Sequence, residues 1–141
     1  MHPLPLQLPF EVPLGPDRWT AAFWAAALEH RLVAAQCAKC THFRSPPTPY
    51  CPRCRSQEVT WVELPGGAEL YTFTIVRHPP APSLAALVPY VIGMVRLDGA
   101  EGVKFMTNVV NCLPEEVHIG MRLHVVWDDV SNELTVPRFA P

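Results

Sequence analysis

Cys37-Ala-Lys-Cys40 and Cys51-Pro-Arg-Cys54 are separated by ten residues, so four of the five cysteines in the chain lie within 18 positions. Two Cys-x-x-Cys pairs at such a separation are typical of a tetrahedral metal site in which each short turn supplies two sulfurs. Four thiolates close the coordination shell, so the ion is structural and leaves no position for water or substrate. We therefore predict a structural zinc ion held by these cysteines in a ribbon over residues 32–58.

Three other interpretations of the cysteines stay open. Iron fits the same tetrahedral sulfur cage, and visible absorption would distinguish it from zinc. Two disulfides would require an oxidising compartment, which nothing in the sequence indicates. A thioredoxin-like redox pair would require one Cys-x-x-Cys at the start of a helix after a strand, whereas both pairs here lie in a proline-rich stretch.

The sequence contains no recognisable catalytic constellation. The fifth cysteine, Cys112, is isolated in an apolar stretch and is expected to be a buried, inert thiol. Glu115 and Glu116 resemble paired carboxylates, but adjacent side chains point apart and a solvated turn explains them better. We predict that the chain has no catalytic residue of its own.

The composition favours one small domain rich in strands. The chain has 141 residues, of which 49% are hydrophobic and 17% are charged, and 17 are prolines, which disfavour long helices. Its formal net charge of -2 argues against unspecific nucleic-acid binding, which needs a basic surface. We find neither an apolar run of about 20 residues nor a basic segment typical of a secretory signal, so we expect a soluble, cytoplasmic protein.

The order of patterns along the chain predicts four segments: an arm, a helix, the ribbon and a barrel. Residues 1–16 are interpreted as an extended arm interrupted by prolines, and residues 17–31 as a helix capped by Asp17. The helix has two apolar stripes, one with Trp19, Phe23 and Ala27 and another with Trp24 and Leu28, so it needs burial on two sides.

After the ribbon the period changes to two: Glu58–Glu63 alternates between polar and apolar residues, and Leu70–Val76 is rich in aromatic and β-branched residues. Predicted strands cover residues 58–63, 70–76, 90–97, 103–109 and 122–127, with a short piece near 134–136. Asp98-Gly99 indicates a hairpin, and Gly93 a bend at the corner of a barrel. The fold class is mainly β: an N-terminal helix, a metal ribbon, and a small antiparallel barrel over residues 59–141.

These patterns together resemble the acyl-CoA-associated accessory proteins that combine a rubredoxin-like zinc ribbon with an OB-fold barrel. The resemblance covers roughly residues 18–140. It rests on Phe23-Trp24, the four cysteines, Pro46-Pro47, Trp61, Gly67, Tyr71-Thr-Phe-Thr74 and Val117-His-Ile-Gly120.

The resemblance implies a non-catalytic subunit that assists a thiolase-like enzyme, or in some cases a hydratase, with acyl-CoA substrates. It favours a heterotetramer with two copies of each chain, and retro-aldol cleavage of a steroid-CoA side chain as the reaction of the complex. The expected partner-binding residues are Trp19, Phe23, Trp24 and Leu28. The candidates for binding CoA are Lys39, Arg44, Arg53, Arg55 and His78.

Two positions depart from the family pattern. Thr41 follows Cys40 where the family usually has glycine, which is expected to loosen that turn. Glu29-His30-Arg31 replaces a glycine-containing helix end, which indicates a longer helix.

The competing hypothesis is a single-stranded nucleic-acid-binding protein. Tyr71, Phe73 and Phe105 could stack against bases on the barrel surface. A sequence pI near 6.3 argues against this function, because the binding groove of such proteins is basic.

Overall fold

The computed structural model of the chain describes residues 17–141 and, before them, Leu4, Leu8, Pro9, Glu11 and Gly15. Most of the predicted arm therefore lies outside the described residues. In the described part, one α-helix is followed by eight strands: α1 (Ala21–Leu28), β1 (Val33–Cys37), β2 (Phe43–Arg44), β3 (Val59–Glu63), β4 (Gly67–Val76), β5 (Tyr90–Leu97), β6 (Lys104–Val109), β7 (Arg122–Ser131) and β8 (Leu134–Ala140). Two 3-10 helices, Pro82–Leu87 and Pro114–Glu116, lie in the connections after β4 and β6. None of the described helices is long and apolar enough to cross a membrane.

The first three strands form a separate sheet in the order β2-β1-β3. β3 pairs with β1 over five positions, from Val33 opposite Glu63 to Cys37 opposite Val59. We had assigned β3 to the barrel, and the structure instead places it in the ribbon. Alternation along Glu58–Glu63 identifies a strand, but it carries no information about which sheet the strand joins.

The remaining five strands close into a barrel in the order β4-β5-β6-β8-β7, which confirms the mainly β fold class. β4 pairs with both β5 and β7, and β6 pairs in parallel with β8. β4, β7 and β8 are longer than the sequence predicts. β8 continues through Pro137. The sequence predicts an earlier end because proline has no N–H to donate to a neighbouring strand.

Gly93 lies at the centre of the barrel wall, where its lack of a side chain makes room for the core. A Cβ at this position would lie 2.9 Å from Val109 Cγ2 and 3.0 Å from Leu70 Cδ1. Both side chains belong to the buried core. Glycine is therefore required here by close packing, rather than by the bend that we predicted.

The helix is shorter than the predicted span of 17–31. Asp17 accepts hydrogen bonds from the N–H groups of Trp19 (2.8 Å) and Thr20 (2.9 Å), but these cap a turn that precedes α1. At the other end, the N–H of His30 donates to Ala27 O (2.9 Å) and that of Arg31 to Ala26 O (2.9 Å). This is a Schellman motif, in which the residue with left-handed backbone stops the helix.

His30 takes the role that glycine usually has at such an end, with a φ of 56°. Our expectation of a longer helix was wrong because a histidine can adopt this conformation when other contacts stabilise it. Its ring stacks on Trp127 at a centroid distance of 5.4 Å, and Nε2 lies 2.8 Å from Asp129 Oδ1. Both partners lie on β7, so these contacts attach the helix end to the barrel.

One face of α1 is buried by the rest of the chain. Ala26 and Ala27 are buried, and the ring of Phe23 lies 5.9 Å from that of Phe105, which in turn lies 6.4 Å from the fully buried Phe139. On the other stripe, Leu28 is 45% exposed. The helix thus packs on the barrel through small residues and an aromatic chain, while part of its second stripe faces solvent.

Candidate metal centre and adjoining groove

The two Cys-x-x-Cys turns have the same backbone geometry. In the first, Cys37 N–H donates to His42 O (2.8 Å) and Thr41 N–H to Cys37 O (3.0 Å). In the second, Cys51 N–H donates to Ser56 O (2.8 Å) and Arg55 N–H to Cys51 O (2.8 Å). The repeated pattern makes two equivalent turns that face each other across the site.

Each turn reverses at a residue with left-handed backbone. Thr41 and Arg55, each four residues after the first cysteine of its turn, have the same φ of 61°. Thr41 therefore does not loosen its turn as we expected, because it adopts the conformation that glycine would have. The cost is steric strain, which is larger for a β-branched residue than for most others.

The four sulfurs form one cluster. All four Sγ atoms lie within 4.8 Å of one another, with Cys37 and Cys54 at 3.5 Å, and Cys40 and Cys51 at 3.5 Å. A tetrahedral ion with metal–sulfur bonds of about 2.3 Å needs sulfur–sulfur distances of about 3.8 Å. The arrangement therefore fits a four-coordinate metal ion bound by thiolates.

The surroundings of the cysteines shift the pKa values of their thiols in opposite directions. The backbone N–H of Cys40, opposed by burial, lowers the pKa of Cys37 to about 5. For Cys40, the backbone N–H of His42 favours the thiolate, but burial and the neighbouring sulfurs raise its pKa to about 11. Four neighbouring thiols do not all ionise without a cation, because their negative charges repel one another. A bound cation compensates this repulsion.

Arg44 is buried beside this cluster, with only 2% of the residue exposed. Its Nη atoms donate to three backbone carbonyls: Thr48 O at 3.2 Å, Ser56 O at 2.6 Å and Glu58 O at 3.1 Å. Arg44 is one of the candidates for binding CoA that the family resemblance implies. The burial and the three carbonyl contacts correct that assignment, because the guanidinium is not available to a ligand.

The other candidates for binding CoA are exposed. Lys39 pairs with Glu58 at 3.4 Å, and Arg53 and Arg55 lie on the second turn. His78 follows the end of β4 on the barrel, apart in the chain from the ribbon cations. The structure therefore groups three of the five candidates on the ribbon surface and leaves His78 on another element.

A groove of about 390 Å³ lies where the helix, the ribbon and the barrel meet, and we call it the aromatic groove. Its aromatic and sulfur-containing lining residues are Phe23, Trp24, Trp61, Met94, Phe105 and Met106. Met106 is 66% exposed and was not identified from the sequence, because one methionine in a strand pattern does not indicate which way it points.

Only two of the four predicted partner-binding residues line the aromatic groove. Phe23 and Trp24 line the aromatic groove, and their rings are 5.1 Å apart in an edge-to-face contact. Trp19 lies under the guanidinium of Arg18 at 4.4 Å, beside the ribbon. Leu28 is exposed but is not among the residues that line the groove.

The three aromatic residues of the nucleic-acid hypothesis differ in exposure. Phe73 and Phe105 are half-buried against the core. Tyr71 is 38% exposed, but Arg96 and Lys104 lie 4.4 Å and 4.1 Å from its ring centre.

A second cavity, of about 250 Å³, lies under the connection that follows β4. Cys112 lines it together with Leu8, Leu84 and Arg138. Burial raises the pKa of Cys112, so its thiol stays protonated at neutral pH.

The two adjacent carboxylates have separate partners. Glu115 lies 3.6 Å from Arg77, and Glu116 accepts a hydrogen bond from the N–H of Leu113 at 2.8 Å. These contacts are those of an exposed turn, rather than those of two groups that share a substrate.

Two family models match consecutive parts of the chain. The model described as the ChsH2 rubredoxin-like zinc ribbon domain matches residues 24–60. The model described as the ChsH2 C-terminal OB-fold domain matches residues 61–128.

Two solved structures share the fold. A chain described as Ltp2-ChsH2(DUF35) aldolase is 36% identical with a TM-score of 0.81, and the match covers 92% of this chain and 98% of that one. A DUF35 family protein of unknown function from Sulfolobus solfataricus is 16% identical with a TM-score of 0.64, over 88% of this chain and 85% of that one.

Two curated proteins with similar sequences are named as a hydratase subunit and as a scaffold protein. A probable enoyl-CoA hydratase alpha subunit from Thermomonospora curvata is 40% identical over 121 residues, which are 85% of this chain but only 37% of that protein. A DUF35 domain-containing scaffold protein from Methanocaldococcus jannaschii is 29% identical over 119 residues, which are 83% of this chain and 82% of that protein.

Proposed function

Because the chain belongs to the ChsH2 family of rubredoxin-like zinc-ribbon and OB-fold proteins, we propose that it is a non-catalytic accessory subunit of a thiolase-like enzyme that acts on acyl-CoA substrates. The observation that carries this proposal is the similarity, at 36% identity over nearly the whole of both chains, to a component of an Ltp2-ChsH2(DUF35) aldolase. The reaction proposed for the complex is retro-aldol cleavage of a steroid-CoA side chain.

The chemistry of the chain is consistent with a supporting role. Its four clustered sulfurs would leave no open coordination position on a bound ion, and the ion that we propose for them is a structural zinc. In the described residues, Glu115 and Glu116 have separate partners, and the thiol of Cys112 has a raised pKa. In the proposed aldolase the partner supplies the base that removes the hydroxyl proton. The carbon–carbon bond then breaks to release a carbonyl product, and its electron pair passes to the α carbon of the thioester as an enolate that takes up a proton to give the shortened acyl-CoA.

The partner surface that we propose centres on Trp24, with Phe23 beside it. It extends to Leu28 at the end of the helix and to Trp19 in the turn before the helix. Large aromatic side chains in partly open grooves are typical of the residues that dominate binding energy at interfaces. The assembly we propose has two copies of each chain. Reduced thiolates suit the cytoplasm, where we place the complex.

The acyl-CoA substrate is proposed to contact the exposed ribbon cations, Lys39, Arg53 and Arg55, or His78 on the barrel. Arginine and lysine are the usual ligands of phosphate groups. Replacing the three ribbon cations with methionine should raise the KM for acyl-CoA without changing kcat.

Reconstitution with a thiolase-like enzyme tests the function. The two proteins are purified separately and together, and release of the carbonyl product from a β-hydroxyacyl steroid-CoA is measured. We expect activity only when both chains are present, and a Glu115→Gln/Glu116→Gln variant should support the full rate. Equal activity of the enzyme without this chain would overturn the proposal.

A hydratase-type partner is the second candidate, because the relative from Thermomonospora curvata carries a hydratase subunit name. Addition of water to an enoyl-CoA, measured with the same two-protein design, distinguishes it from aldol cleavage.

A further inference from the structure

We infer that Arg44 is the charge partner of the metal–thiolate centre, so that it raises the affinity of the ribbon for a divalent ion. The residue is adjacent to the cluster because of strand register. Arg44 pairs with Ala35, and Cys37 is two residues further along the same strand, so Arg44 and Cys37 are diagonal neighbours on one face of the sheet.

Arg44 is a buried cation without a carboxylate partner. All 13 acidic residues are within the part of the chain that the structure describes, and none of the ion pairs found there involves Arg44. Other arginines do have such partners: Arg138, for example, lies 3.0 Å from the buried Asp128. An uncompensated buried charge strongly destabilises a fold, so Arg44 needs a source of negative charge.

The metal centre supplies that negative charge. Four thiolates around a divalent ion leave a net charge of about -2. The buried Nε of Arg44 has no hydrogen-bond partner among the described residues, while the Nη atoms are held by carbonyls. The carbonyl contacts fix the guanidinium in place, and its positive charge then offsets part of the charge on the sulfurs.

The same residue connects the metal centre with the aromatic groove. Arg44 and the residues that follow it, Ser45, Pro46 and Pro47, are among the residues that line this groove, as is Trp24. The attraction between Arg44 and the metal–thiolate centre therefore also stabilises residues 44–47, the part of the aromatic groove that begins at Arg44.

Three variants test the inference through metal affinity rather than enzyme activity. Arg44→Met removes the charge and keeps much of the volume, Arg44→Lys keeps the charge, and Lys39→Met removes an exposed charge beside the same centre as a matched control. Zinc affinity is measured by competition with a chromophoric chelator at neutral pH. We expect Arg44→Met to weaken binding about 10- to 100-fold. Lys39→Met should change it by less than about threefold, because an exposed charge is screened by solvent.

Arg44→Lys separates charge from structure. It loses most of the carbonyl contacts, so the metal-free protein should be less stable, but we expect its zinc affinity to stay closer to wild type than that of Arg44→Met. If Arg44→Met does not fold, the comparison of Arg44→Lys with wild type decides. A zinc affinity of Arg44→Met equal to that of Lys39→Met, or an affinity of Arg44→Lys that falls about 10-fold or more, would overturn the inference.

Discussion

At the scale of single residues, the chain places ordinary side chains in backbone conformations that usually belong to glycine. Thr41, Arg55 and His30 all have positive φ, at two metal turns and at the end of the helix. Each conformation costs about 1 kcal/mol or more, which surrounding contacts must offset. We expect a bound metal ion to do so for the turns, and Trp127 and Asp129 do so for His30.

Thr41→Gly should stabilise the zinc-loaded protein by about 0.5–1 kcal/mol, because relief of strain exceeds the entropy that glycine adds to the unfolded chain. The measurement is chemical unfolding at fixed zinc concentration. Thr60→Gly, on the exposed face of β3, is the matched control and should destabilise by about 1 kcal/mol. A loss of stability in Thr41→Gly would show that the turn is not strained.

Asp129 should make stability depend on pH in acid. The hydrogen bond from His30, followed by that from Thr135, lowers the pKa of Asp129 below its ordinary value of 3.8. The carboxylate therefore stabilises the fold fully above this value, and the contribution disappears as the pH falls through the lower, folded-state pKa.

Comparison with Asp129→Asn isolates this effect. The difference in Tm between wild type and Asp129→Asn should be constant from about pH 5 to 7 and should shrink below about pH 4. A difference that grows as the pH falls would contradict the direction of the shift.

At the scale of elements, the ribbon and the barrel differ in what stabilises them. The barrel is closed and has a continuous buried core with Phe139, Leu70 and Val95 at its centre. The ribbon sheet has three strands, one of two residues, and its turns converge on the sulfurs. Small units of this kind depend on their metal to fold.

Metal removal should therefore unfold the ribbon and leave the barrel folded. After chelation, hydrogen exchange is expected to speed up in Val33–Cys37 and Val59–Glu63, because β3 pairs with β1. Amides of β4 to β8 should keep their protection. Retained protection in β3 alone would contradict its assignment to the ribbon.

The elements that the sequence predicts well are those with a local signal. Two Cys-x-x-Cys pairs indicate two metal turns, and runs of apolar residues between turn signals indicate strands such as Tyr90–Leu97, which the structure has with the same bounds. Sheet membership of β3, the full length of β8 and the early end of α1 depend on contacts between distant residues. His30 illustrates the limit, because Trp127 and Asp129, which fix its conformation, are about a hundred residues away.

The candidate site was predictable to a similar degree. The cluster of four cysteines follows from spacing alone, whereas the burial of Arg44 depends on strand register and on the carbonyls of Thr48, Ser56 and Glu58. Exposed cations and exposed apolar residues, such as Met106, carry no periodic signal that separates a binding surface from a solvated one.

At the scale of the whole molecule, the closed barrel, the ribbon with its four clustered cysteines and the short helix meet at the aromatic groove. Phe23 joins the helix to the barrel through Phe105, and Pro46 and Pro47 bring the ribbon to the same place. Such a surface, formed by three elements, is suited to contact another folded protein, as the proposed function requires.

Binding of the zinc-loaded chain to a thiolase-like enzyme, measured by calorimetry, tests this central claim most directly. We predict a stable complex with equal numbers of both chains. Trp24→Ala should weaken it at least about tenfold, as expected for an aromatic residue that dominates an interface. Ile119→Ala, which removes a side chain from a residue that is 66% exposed and is not among those lining the groove, should bind like wild type. No binding by the wild-type chain, or equal affinities for all three proteins, would contradict the account.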